Sequence, residues 1–295
     1  MVATKLNPKY KGILCLLFAA FCFSCMNLMI RLAGDVPTFQ KSFFRNLIAM
    51  MIAAAMLVRE GTGFRPVSWK NWPLFLARGC FGTIGILGNF YAVDHLLMSD
   101  ASMLNKMSPF FAVIASVILL KERLKPIQVF TLAGAFAGAL CIIKPSLSNM
   151  ALGASLIGFV GGMGAGIAYT FVRMLGQRGE RGAFIVFFFS AFSCLVMVPF
   201  VLLAGKPMTL QQTLTLIGAG VAAAGGQFGI TAAYRCAPAR EISVYDYSQV
   251  IFSAVLGFFI FGDVPDGLSF LGYFIICSMA VLNFWYNNHH KPKTT

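Results

Sequence analysis

Charge is what this sequence most lacks. Asp, Glu, Lys and Arg make up 11% of its 295 residues, against about 25% in a soluble globular domain. Acids are scarcest, with 10 Asp and Glu beside 23 Lys and Arg. So few charges cannot cover a water-facing surface, which excludes a soluble enzyme and a disordered chain. Catalytic signatures are missing too. There is no His-x-x-x-His pair, no Gly-x-Ser-x-Gly, no Walker lysine, and no acidic or His cluster for a metal. Seven of the eight cysteines lie inside apolar runs, as small hydrophobes do, and Cys236 lies just past one. Cys22-x-x-Cys25 has redox spacing but no second pair and no nearby His. We therefore expect no metal, no cofactor, no catalytic residue and no disulfide scaffold.

What is present is apolar. Hydrophobic residues reach 58%, and mean hydropathy is +0.78. The net charge of +13 is spread over short gaps between apolar runs. That distribution argues against nucleic acid and for a lipid bilayer. Ten runs are long enough to cross about 30 Å of hydrocarbon. They cover roughly 12–30, 40–58, 72–93, 101–120, 127–143, 152–172, 183–205, 214–234, 242–261 and 268–286. The runs are continuous rather than alternating, so a β-barrel is excluded. The first follows Lys9 and Lys11 like a signal peptide, but its length marks a retained span.

Cation placement orients the chain. With a cytoplasmic N-terminus, 16 of the 23 Lys and Arg fall in inside segments and four outside: Arg31, Lys41, Lys144 and Lys206. Arg45, Arg78 and Lys106 remain within spans. Both termini are thus expected in the cytoplasm, with the chain in the cytoplasmic (inner) membrane.

The two halves resemble each other. Residues 102–122 match 242–263, with Ser108 on Ser248 at an offset of 140 and Glu122 on Asp263 after one insertion. Each acid closes an apolar run and precedes a turn containing Pro126 or Pro265. Five spans per copy turns the second copy upside down. The expected fold is therefore all-α and polytopic: ten transmembrane helices as two inverted five-helix repeats, residues 1–147 and 148–295. Such repeats hold a solute near the midplane and rock around it.

Here the chain resembles a known family. Arg45 in Phe43-Phe44-Arg45-Asn46, Arg78-Gly79, Phe90-Tyr91-Ala92, Ser108-Pro109-Phe110, Leu119-Leu120-Lys121-Glu122-Arg123-Leu124 and Gly134 come in order. In the second half are Tyr169, Ala232-Ala233-Tyr234 and Phe261-Gly262-Asp263. Within ten spans this pattern resembles the drug/metabolite transporter superfamily, with two EamA-like domains. Gln249 stands where the pattern has proline, and Asp263 where it has glutamate. The resemblance implies a secondary transporter of small organic solutes.

Charge inside hydrocarbon costs about 2.5–3.5 kcal/mol per residue on insertion scales, so each instance needs a reason. Lys106 and Asp246 occupy the same position in the two copies. Each lies about five residues into its run, which separates them by roughly 14 Å along the membrane normal. We therefore expect two charged ledges in one cavity, rather than a salt bridge. Lys106 would take an acidic group of the solute, and Asp246 an amine or a coupled proton. Local pairing or snorkelling is the alternative. Arg45 and Arg78 lie near span ends, where anchoring and solute contact are equally open. Asn27, Asn89, Asn105, Tyr169, Gln227 and Tyr245 either line the cavity or bond neighbouring helices. Pro109 should kink span four. Asp94-His95 reads as a solvated pair at a helix end. Gly158, Gly162 and Gly166, with Gly134/Gly138 and Gly225/Gly229, read as close-packing faces. Phe184 to Phe192 reads as lipid-facing.

Function is then a matter of class. The leading expectation is secondary active transport of a small polar or zwitterionic metabolite (amino-acid-like, organic anion or nucleoside-like), driven by protons or exchange. A lipid-translocating or membrane-assembly component is the second reading, and an integral-membrane lipid-modifying enzyme the third. Substrate, direction and oligomeric state are left open. A tag at either terminus should stay inaccessible to an impermeant reagent in intact cells and become accessible on permeabilisation; labelling of intact cells would reverse the orientation.

Overall fold

The computed structural model describes residues 8–61, 63–120, 126–143, 151–236 and 243–289. They form α1 (Pro8–Leu32), α2 (Thr38–Arg59), α3 (Trp72–His95), α4 (Met98–Asn105), α5 (Ser108–Leu120) and α6 (Pro126–Ile143). Then come α7 (Leu152–Gln177), α8 (Gly182–Ala204), α9 (Leu210–Cys236), α10 (Ser248–Phe261) and α11 (Gly267–His289). No strand occurs among the described residues. In hydrocarbon only a helix satisfies its own backbone, so apolar runs of this length become helices. Every one of the ten expected runs falls on helix, but two are divided. Span four is α4 and α5, interrupted at Lys106-Met107. Span nine opens as the 3-10 segment Ser243–Tyr247 before α10. Glu122 and its loop lie outside the described residues.

Among the described residues, seven segments are long and apolar enough to cross a membrane, including Met98–Leu119 through α4 and α5. Helices α6 and α10 are shorter but apolar. Helix α3 has 24 residues and buries Arg78, Thr83 and Asn89. The outer surface is greasy: Leu203 is 88% exposed and Phe259 79%. A surface of this kind is stable against acyl chains rather than water. The chain is a multi-pass, all-α membrane protein.

With no hydrophobic drive between helices in lipid, contact depends on close approach. Helix α3 packs on α7, α1 on α9, α2 on α8, α6 on α11, and α4 on α10. In addition α5 packs on α7, and α10 on α1. The glycine faces lie at these seams as expected. A Cβ on Gly88 would stand 2.6 Å from Gly161 Cα and 2.7 Å from the Ile157 carbonyl oxygen. On α7, a Cβ at Gly162 or Gly166 would strike the carbonyl oxygens of Leu104 and Ser108. Those glycines seat the interrupted span four directly on α7.

One surface expectation is corrected. Phe184 and Phe189 are buried, not lipid-facing. Phe184 meets Phe75 edge-on with ring centroids 5.2 Å apart, and Phe188 meets Trp72 at 5.0 Å. Aromatic rings gain from each other what acyl chains cannot match in geometry.

The two ends of the bundle are tied differently. At the end where α1 leads into α2, Arg31 pairs with Asp263 at 2.5 Å and Lys41 with Asp94 at 2.6 Å. Lys41 was expected in a solvated outside segment, yet its side chain is fully buried because Asp94 supplies its counter-charge. Of the pair expected to be solvated, His95 is exposed and bonds the Tyr91 carbonyl through Nδ1, whereas Asp94 is largely buried as the partner of Lys41. At the opposite end, Glu180 accepts hydrogen bonds from the backbone N–H of Val67 and Ser68 and from Asn71.

Gly88→Ala should cost about 1–3 kcal/mol, since backbone rather than a flexible side chain blocks the new methyl. Gly153→Ala, where a Cβ meets nothing within 4 Å, should be neutral or stabilising. Denaturant unfolding in detergent checks both.

Candidate functional site

The two interrupted spans meet at their interruptions. Lys106 ends α4, donating its backbone N–H to the Ser102 carbonyl at 3.0 Å. The chain restarts at Ser108, with Pro109 in the first turn of α5, where its missing N–H is harmless. In the second half the helix restarts at Ser248, the residue aligned with Ser108, although Gln249 rather than proline comes next. Proline alone therefore does not make the break. Tyr247 donates its hydroxyl to the Lys106 carbonyl at 3.1 Å, so one break satisfies the backbone of the other.

Lys106 Nζ and Asp246 Oδ2 are 2.5 Å apart, and both side chains are largely buried. This corrects the expectation of two separate ledges. The depth estimate assumed unbroken helices entering from opposite faces. Instead α4 begins at Met98, so Lys106 lies about 12 Å along the helix from it at 1.5 Å per residue. Helix α10 runs antiparallel beside α4: Met98 N–H donates to Asp263 Oδ2 at 3.1 Å, and Ser102 donates to Ser253 at 2.7 Å. That pairing carries Asp246 down to the level of Lys106.

Beside the ion pair is a half-open cavity of about 70 Å³. Seven of the expected residues line it: Arg45, Arg78, Asn89, Asn105, Lys106, Tyr169 and Gln227. Asn27 stands behind the wall, fully buried, and accepts a hydrogen bond from Asn89 Nδ2 at 3.2 Å. Asp246 reaches the cavity through Lys106. Tyr245 is 38% exposed and is not part of the lining.

Arg45 and Arg78 were expected near span ends; both are buried cavity walls, 2% and 6% exposed. Arg78 lies 3.9 Å over the Phe189 ring, and Arg45 donates to Asn46 Oδ1 at 2.6 Å. Tyr169 lies within electrostatic reach of both guanidiniums and of Asp246. Residues missed from the sequence are polar, and one of them, Gln249, lines the cavity itself. Ser24, Ser102 and Ser253 are fully buried and extend the chain of hydrogen bonds from Asn27 across α1, α4 and α10. Isolated serines in apolar helices usually bond their own backbone, so nothing in the sequence singled them out.

A polytopic helical bundle with charged side chains around a hollow among its spans fits a membrane transporter for small molecules, and the family and relatives are transporters rather than enzymes. The chain belongs to the EamA-like transporter family of the drug/metabolite transporter superfamily; the family model matches residues 10–144. It is 32% identical over 268 residues to the pseudopaline exporter CntI of Pseudomonas aeruginosa, covering 88% of this chain and 91% of that protein. A riboflavin transporter of Vibrio cholerae is 29% identical, covering 93% of each chain. Human solute carrier family 35 member G1 is 24% identical, covering 94% of this chain and 80% of that one. A solved crystal structure shares the fold at TM-score 0.66 and 16% identity, over 96% of this chain.

Removing one partner of a buried ion pair leaves the other charge uncompensated, at about 3–5 kcal/mol. Lys106→Met and Asp246→Asn should each lose on that order, and Lys106→Met/Asp246→Asn together should recover most of it. A double-mutant cycle on thermal unfolding measures the coupling; additive losses would show that the pair does not interact.

Proposed function

We propose that this protein is a secondary active transporter that moves a small polar or zwitterionic organic metabolite across the cytoplasmic membrane by alternating access, with both termini in the cytoplasm. The observation that carries this reading is the Lys106–Asp246 pair, set where two helices break and beside a polar cavity. A buried pair adds little net stability compared with an apolar equivalent, so its retention points to use.

The helix pairing supports two inverted repeats, residues 1–147 and 148–295. When the first five spans are exchanged with the last five, the principal packed pairs map onto one another: α3 on α7 becomes α1 on α9, α5 on α7 becomes α10 on α1, and α2 with α8, α6 with α11 and α4 with α10 map onto themselves. Two positions related by such an axis touch only where the axis passes, which is the midplane. Lys106 and Asp246 stand in that relation at their offset of 140.

The cavity, at about 70 Å³, is well below the roughly 300–1,000 Å³ of ligand pockets. Solute entry therefore requires the bundles to part. The two ends offer separate fastenings. Arg31–Asp263 and Lys41–Asp94 close one, and Glu180 with the segment before α3 closes the other. Releasing one set while the other holds is alternating access. Protonation of Asp246, or competition by a charged solute group, would break its hold on Lys106 and free the two breaks to move. Energy then comes from a proton gradient or from solute exchange.

The test is counterflow in liposomes with a labelled panel of amino acids, dicarboxylates and riboflavin. Wild-type protein should accumulate at least one label. The Lys106→Met/Asp246→Asn protein, folded but uncharged at the breaks, should lose at least ten-fold. Undiminished counterflow by that double variant would overturn the reading.

A further inference from the structure

The cations around the cavity outnumber their partners. Among the described residues, Lys106, Lys41 and Arg31 each have a carboxylate within 4 Å, whereas Arg45 and Arg78 have none. Both guanidiniums line the same cavity. The Nε of each is buried without a hydrogen-bond partner. Two desolvated like charges with unused donors, facing a hollow, are held in wait for negative charge.

We infer that Arg45 and Arg78 form a paired oxyanion site, and that the transported solute carries at least two acidic groups. This rests on the transport reading, and assigns the acidic end of the solute to the arginines rather than to Lys106, whose charge Asp246 already balances. The guanidinium suits the task because its planar fork grips a carboxylate or phosphate through two parallel N–H donors. The surroundings are shaped for it. Gly82, one turn beyond Arg78 on α3, leaves the space the guanidinium occupies: a Cβ there would overlap Arg78 Nη1 and lie 2.7 Å from the Phe189 ring. The Phe189 face holds Arg78 in place by a cation–π contact without competing for its N–H donors. Tyr169, 38% exposed and lining the same hollow, offers a hydroxyl to the second acidic group.

The test is thermal unfolding of the full chain in lipid nanodiscs with citrate, succinate or inorganic phosphate, each against chloride at equal ionic strength. Neutral succinate dimethyl ester and cationic arginine serve as controls. At least one dianion should raise the melting temperature well beyond chloride, and the controls should not. Arg45→Gln and Arg78→Gln should lose that shift while melting, without ligand, at or above the wild-type temperature, because an unpaired buried charge has gone. A structural role would lower the ligand-free melting temperature instead. Gly82→Ala keeps both arginines yet displaces one, and should weaken the shift at least ten-fold in apparent affinity. A shift that survives Arg45→Gln and Arg78→Gln, or that appears with the controls and not the dianions, or with no probe, overturns the site. Dianion binding without counterflow in liposomes would overturn the transport reading and leave the site standing.

Discussion

Everything in this structure depends on a rule the bilayer imposes: polar groups inside hydrocarbon must be satisfied by the protein itself. Two apolar spans break inside the bundle, and each break is repaired by the other. The hydroxyl of Tyr247 satisfies the Lys106 carbonyl, and Asp246 neutralises Lys106. Neither break stands alone. The glycines of α7 obey the same rule, because only a face without side chains lets a helix approach an interrupted backbone this closely.

The interior is graded in how fully its polar groups are satisfied, rather than uniformly polar. Charges at the bundle ends are paired, as with Lys41 and Asp94. The serine and asparagine chain across α1, α3, α4 and α10 is joined by hydrogen bonds. Guanidinium donors go unused at the cavity. A transporter has to leave some of its polar groups unsatisfied when empty, or the solute would have nothing to gain by entering. On the transport reading proposed above, the small hollow and the unused donors describe one condition, a site contracted around groups that a solute would complete.

Much of this was legible residue by residue. Arg45, Arg78, Asn89, Asn105, Lys106, Tyr169 and Gln227 stood out because polar side chains are rare in apolar runs, and all seven line the cavity. Phe184 to Phe192 misled because a phenylalanine bound for lipid and one bound for a neighbouring helix look alike in sequence. The Lys106–Asp246 contact was misjudged for a related reason. Depth was reckoned along unbroken helices, and a break without a proline, as at Ser248, has no local marker.

By itself the sequence determined everything that solvent dictates: an all-helical, multi-pass chain, because its apolar runs admit no other state in a bilayer. It also named the rare ions, because their cost in hydrocarbon makes them conspicuous one at a time. Which ions neutralise each other was decided only by tertiary structure. Coulomb attraction acts over a few ångströms across helices far apart in the chain. No spacing along the sequence encodes that a lysine finds its aspartate while, among the described residues, two arginines find no carboxylate.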